Sequence, residues 1–88
     1  AGVIVTVDAF GNLISNIDER DIAQLAKPVA ITSSHRVPFK RTYGDVKPGE
    51  LLALINSFGV VELARGEGSA SDALGAGRGA PLKVVEAD

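Results

Sequence analysis

Seven short apolar runs, rich in valine, isoleucine and leucine and each cut off by glycine, proline, asparagine, aspartate or serine, dominate this chain. They fall at 2–8, 12–17, 28–33, 36–41, 51–56, 60–65 and 81–86. Runs this short, rich in β-branched residues and bounded by turn formers, predict strands. Only two segments predict helix. One is Asp18 to Ala26, with Asn16 or Asp18 as cap and Pro28 as stop; the other is Ser69 to Leu74, with Ser69 as cap and Gly75 as terminator. Many short strands that do not alternate with long helices favour a small barrel or sandwich over a parallel sheet. The expected fold is all-β: a seven-stranded β-barrel with one or two short helices. Pro48-Gly49 predicts a type II turn leading into the run at 51.

A length of 88 residues supports one core and not two, and 45% hydrophobic residues is enough to build it. A net charge of −2, with aromatic residues not interleaved with lysine and arginine, argues against nucleic acid as a partner. No apolar run approaches the roughly 20 residues that span a bilayer, so no membrane association is expected. The absence of cysteine removes disulfides and thiolate chemistry and fits a cytoplasmic protein. The chain starts at Ala1-Gly2 without methionine and enters a strand almost at once, so something is expected to precede it.

Two blocks break the apolar pattern: Val7 to Ile17, and Ile55 to Gly59 running on to Arg65. Polar groups in apolar surroundings need partners, from the protein or from a ligand, because burying one unpaired costs about 1 to 3 kcal/mol. Taken singly, the residues leave both options open. Asp8 can meet an ammonium group or form a turn, and Asn12 can pair with an adenine edge or shape a hairpin. Phe10, Tyr43 and Phe58 can stack on a purine or fill the core. His35, the only histidine, has no second histidine with which to share a metal or a triad and reads as a loop residue. Gly75, Gly77 and Gly79 lack the strand-loop-helix setting of a phosphate loop.

Jointly, the segments Asp8-Ala9-Phe10-Gly11-Asn12-Leu13-Ile14-Ser15-Asn16-Ile17, Thr42-Tyr43-Gly44-Asp45-Val46 and Ile55-Asn56-Ser57-Phe58-Gly59 closely resemble the S-adenosyl-L-methionine hydroxide adenosyltransferase family, related to the fluorinating and chlorinating enzymes. The resemblance covers essentially the whole chain but only the smaller, C-terminal β-barrel domain of that family. It implies that residues 1–88 form one domain of a two-domain enzyme whose N-terminal catalytic domain is absent here. It also implies a homotrimer, with S-adenosylmethionine held between the N-terminal domain of one subunit and the C-terminal domain of its neighbour. By resemblance, Asp8 matches the carboxylate near the methionine amino group, and Phe10 and Asn12 match residues around the adenosyl group. Ser57 and Phe58 match the pair near the methionine end, and Tyr43 matches an aromatic wall position. By the same resemblance, Arg65 and Glu67 fall where the family places the strand that passes the adenine, largely through backbone groups.

Ile14 stands where the fluorinating enzymes carry tryptophan, Phe58 where they carry arginine, and Ser15 where threonine is usual. These departures favour the hydroxide branch over a halogenase. The implied reaction is attack of water or hydroxide on C5′ of S-adenosylmethionine, giving adenosine and L-methionine. S-adenosylmethionine is substrate, and the resemblance implies neither metal nor redox cofactor. The family's water-activating residues lie in the N-terminal domain, so no catalytic residue is assigned in this chain. The rival from another class is a plain interaction barrel, with Phe10, Tyr43 and Phe58 in its core.

Overall fold

Seven strands form, each within a few residues of its expected bounds. The computed structural model describes residues 2–87, the side chain of Tyr43 excepted. The strands are β1 (Gly2–Val7), β2 (Leu13–Asp18), β3 (Pro28–Thr32), β4 (His35–Pro38), β5 (Leu51–Ile55), β6 (Val60–Arg65) and β7 (Pro81–Glu86), with one helix, α1 (Ala70–Leu74). Their order across the sheet is β4-β3-β7-β1-β2-β6-β5, and every strand-to-strand pairing is antiparallel. The two edges then meet: Phe39 and Ala53 form a parallel bridge, and the Lys40 N–H donates to the Ala53 carbonyl at 2.8 Å. The sheet is thereby a nearly closed barrel, which leaves little free edge.

Alternation along the strands sends Ile4, Leu13, Val61, Leu63 and Leu82 inward, all at most 2% exposed. Ala70 and Leu74 of α1 pack into the same cluster, so the helix covers the barrel interior. Leu52, Leu54 and Ala64 form a smaller cluster on the other face of β5 and β6, covered by Val46. The β2–β6 register shifts between Ile14 and Asp18. Ser15 serves the backbone there: its buried hydroxyl donates to the Val61 carbonyl at 2.7 Å and accepts from the Ile17 N–H at 3.1 Å.

The short helix at 70–74 forms as expected. Ser69 caps it by accepting from the Asp72 N–H at 3.1 Å, and Gly75 ends it at φ +61°. The Pro48-Gly49 turn is also present, with Gly49 at φ +87° and the Glu50 N–H on the Lys47 carbonyl at 3.0 Å. The expected helix from Asp18 to Ala26 is corrected to one 3-10 turn, Glu19–Asp21. Asp18 does cap it, accepting from the Arg20 N–H at 2.9 Å. Helices this short are marginal alone. Moreover, the Glu86 carboxylate accepts from the Ala26 and Lys27 N–H groups at 2.8 and 2.6 Å, which draws the chain into the extended start of β3. A second 3-10 turn, Tyr43–Asp45, was not signalled by the sequence. No helix among the described residues is long and apolar enough to cross a membrane.

Candidate functional site

The β1–β2 loop is organised by one side chain. The Asp8 N–H donates to the Asn12 carbonyl at 3.0 Å, closing the loop. Asp8 Oδ1 accepts from the Phe10 and Asn12 N–H groups, each at 2.9 Å, and Oδ2 accepts from the Asn12 side-chain amide at 3.0 Å. Desolvation, the largest single influence, pushes the Asp8 carboxyl upward, but the hydrogen bonds from Asn12, Phe10 and Gly11 together outweigh it and hold the group below the usual carboxylate range. Both readings of Asp8 therefore rest on one fixed carboxylate: it forms the turn, and it stands charged at the mouth of a cleft.

Gly11 seats this loop on α1. Its φ of +83° is left-handed, a Cβ there would lie 2.6 Å from Ser69 Cβ, and its carbonyl accepts from the Ser71 N–H at 2.9 Å. Phe10 is left projecting, 78% exposed.

Antiparallel pairing supplies the opposite wall. Leu13 pairs with Leu63 and Ile14 with Glu62, so the start of β2 lies beside the end of β6. There the chain turns at 65–68, with Glu67 in the left-handed region at φ +50°. Arg65 Nε donates to the Gly49 carbonyl at 3.0 Å, tying the guanidinium to the Pro48-Gly49 turn. Asp8, Phe10, Asn12, Glu62, Arg65, Glu67 and Gly68 surround an open cleft of about 500 Å³. Three carboxylates against one guanidinium make its lining acidic.

Five of the eight residues singled out in the sequence thus share one cleft: Asp8, Phe10, Asn12, Arg65 and Glu67. Ser57 and Phe58 lie elsewhere, on the β5–β6 turn at the opposite end of β6 from Arg65, about 17 Å away at roughly 3.3 Å per residue. Phe58 is 87% exposed. The core placement of Phe10 and Phe58 expected under the rival reading is therefore corrected, because both sit on hairpin tips with no layer above them. The side chain of Tyr43 lies outside the described residues.

Sequence reasoning missed Glu62 and Gly68. Glu62 alternates with inward-facing Val61 and Leu63, a pattern that reads as a solvated strand position, yet it is only 7% exposed. The signal that could have found it is a lone acid in an otherwise apolar run six residues after Asn56. His35, expected in a loop, is the exposed first residue of β4, paired with Thr32 just after the Ser33-Ser34 turn, its Nδ1 3.0 Å from the Ser33 carbonyl oxygen. Gly79 donates its N–H to the Ile4 carbonyl at 2.7 Å, so the glycine run shapes the entry to β7. Among the described residues no group of three or more His, Asp or Glu side chains is arranged to hold a metal ion.

Fold and cleft together define a small antiparallel β-barrel domain with an acidic cleft where β2 meets the end of β6. The family model described as SAM hydroxide adenosyltransferase C-terminal domain matches residues 2–83, and the chain belongs to that family. It is 33% identical over 84 residues to an (R)-S-adenosyl-L-methionine hydrolase of Thermus thermophilus and 37% identical over 84 residues to one of Salinispora tropica. Those matches take in 96% and 93% of this chain but 31% of each relative, so the chain spans about a third of their length. Among solved structures, a conserved hypothetical protein of Thermus thermophilus superposes with a TM-score of 0.83 at 36% identity, and an uncharacterized conserved protein of Thermotoga maritima with 0.85 at 27%. Each match covers 96% of this chain, and 34% and 35% of the respective structures.

Proposed function

We propose that this chain is the substrate-binding C-terminal domain of a two-domain S-adenosyl-L-methionine hydrolase. The observation that carries the reading is the convergence of Asp8, Phe10 and Asn12 with Arg65 and Glu67 on one cleft, in a chain whose family and named relatives process this substrate. S-adenosylmethionine carries a sulfonium and an ammonium, and an acidic cleft with an exposed phenyl ring and an amide beside it suits a cationic adenosyl ligand.

The reaction proposed is displacement at C5′. Water oxygen forms a bond to C5′ as the C5′–S bond breaks, the bonding pair passes to sulfur to give the neutral thioether of L-methionine, and water loses a proton to leave adenosine. S-adenosylmethionine is substrate rather than a resident cofactor. This domain's share is binding and orientation, which lowers the barrier by aligning nucleophile, carbon and leaving sulfur. Water activation belongs to the N-terminal domain, in a cytoplasmic homotrimer whose sites lie between subunits. Titration of S-adenosylmethionine into the two-domain protein tests the reading: saturable binding supports it, and none rejects it.

A further inference from the structure

Ser57 and Phe58 do not line the cleft, yet they are wired to it. Glu62 stands on the cleft wall, 7% exposed, between Ile14 on β2 and Leu54 on β5. Its Oε1 accepts from Asn56 Nδ2 at 3.1 Å. Asn56 turns its other side-chain atom to the backbone of the β5–β6 turn, where Oδ1 accepts from the Phe58 N–H at 2.9 Å and from the Val60 N–H at 3.3 Å. One asparagine thus spends its donor on the cleft and its acceptor on the turn that presents Ser57 and Phe58. The next link is backbone: the Gly59 carbonyl accepts from the Glu19 N–H at 2.8 Å, which seats the same turn on the end of β2.

The orientation of the amide is fixed by these partners. Two backbone N–H groups require an acceptor on the turn side, and a carboxylate requires a donor on the cleft side. A charge-assisted bond of this kind is stronger than a neutral one, and burial leaves it little screened by solvent.

We propose that Glu62 is a positioning residue: through Asn56 it sets the β5–β6 turn, and with it Ser57 and Phe58, relative to a ligand in the cleft. The inference rests on the functional reading above and adds a residue that the sequence motifs did not single out. It also explains how two residues at the far end of β6 can act on the same ligand as Arg65 and Glu67.

The test exchanges donor and acceptor in the two-domain enzyme. Asn56→Asp keeps an acceptor for the Phe58 and Val60 N–H groups but sets a carboxylate against Glu62. Glu62→Gln keeps an acceptor for Asn56, and the double variant N56D/E62Q restores the bond with its direction reversed. The expected result is a KM for S-adenosylmethionine raised about tenfold in N56D with kcat nearly unchanged, the scale of one lost charge-assisted bond that acts alike in ground and transition states. E62Q alone also raises KM, because the cleft loses one of its three carboxylates, and N56D/E62Q returns KM to the E62Q value instead of adding the N56D loss to it. The inference is overturned if N56D binds as the unsubstituted enzyme does. It is overturned equally if the double variant shows no rescue, or if KM follows the melting temperature across the set, which marks a merely structural bond. An unsubstituted enzyme that neither binds nor turns over S-adenosylmethionine overturns the functional reading itself, and this inference with it.

Discussion

Replacing Gly11 with alanine tests how the cleft is built. Gly11 occupies φ +83°, where an L side chain costs about 1 to 2 kcal/mol. The added Cβ also meets Ser69, lying 2.6 Å from its Cβ and 3.0 Å from its Cα, and overpacking of this kind costs about 1 to 3 kcal/mol. The sum is about 2 to 5 kcal/mol, a large share of the roughly 5 to 15 kcal/mol by which a domain is stable. Relief should come from Ser69→Gly. Glycine is tolerated at a helix cap for a few tenths of a kcal/mol, and it removes the Ser69 side chain that the new methyl meets. The double variant G11A/S69G should therefore keep mainly the backbone cost, about 1 to 2 kcal/mol, with the few tenths of the weaker cap and the 3.0 Å approach to the residue 69 Cα left over. Urea denaturation midpoints of the four proteins give the cycle. Ligand affinity should fall in G11A as well, since Phe10 and Asn12 move with the loop. A G11A protein as stable as the original refutes the reasoning, as does a double variant no more stable than G11A.

Two further outcomes follow from the same loop. Asn12→Ala should weaken S-adenosylmethionine binding by about 1 to 3 kcal/mol if its amide pairs with the adenosyl group, measured as a dissociation constant in the two-domain protein. The Asp8 carboxyl is held below its ordinary value of 3.8, so it contributes stability above that pH, and the contribution disappears as pH falls through the lowered folded value. Carbon NMR titration should show Asp8 protonating below the ordinary carboxylate range, and Asp8→Asn should remove that part of the acid dependence.

The strands were legible because glycine, proline and asparagine punctuate apolar runs too short for helices, and the barrel followed because nothing offered a long crossover. The 18–26 segment misled because its start signal was real: Asp18 caps a turn. The turn closes at Ile22 on the Glu19 carbonyl, and beyond it Glu86, 60 residues from Ala26, holds Ala26 and Lys27 in the run into β3, a tertiary contact that no local pattern reports. The same limit hid Glu62. Strand alternation places it away from Val61 and Leu63, but its burial depends on neighbouring strands and on Asn56 reaching back across the β5–β6 turn. Asp8, Phe10 and Asn12 were found through their joint resemblance to a family, and the pairing of β2 with β6 explains why they share a cleft with Arg65 and Glu67. Ser57 and Phe58 came from the same resemblance, and the length of β6 separates them from that cleft.

The most direct test of the division of labour is adenosine release from S-adenosylmethionine, followed for the 88-residue chain alone and for the two-domain protein. The account predicts adenosine and L-methionine in equal amounts from the two-domain protein and none from the chain alone. Adenosine formed by the isolated barrel would contradict it.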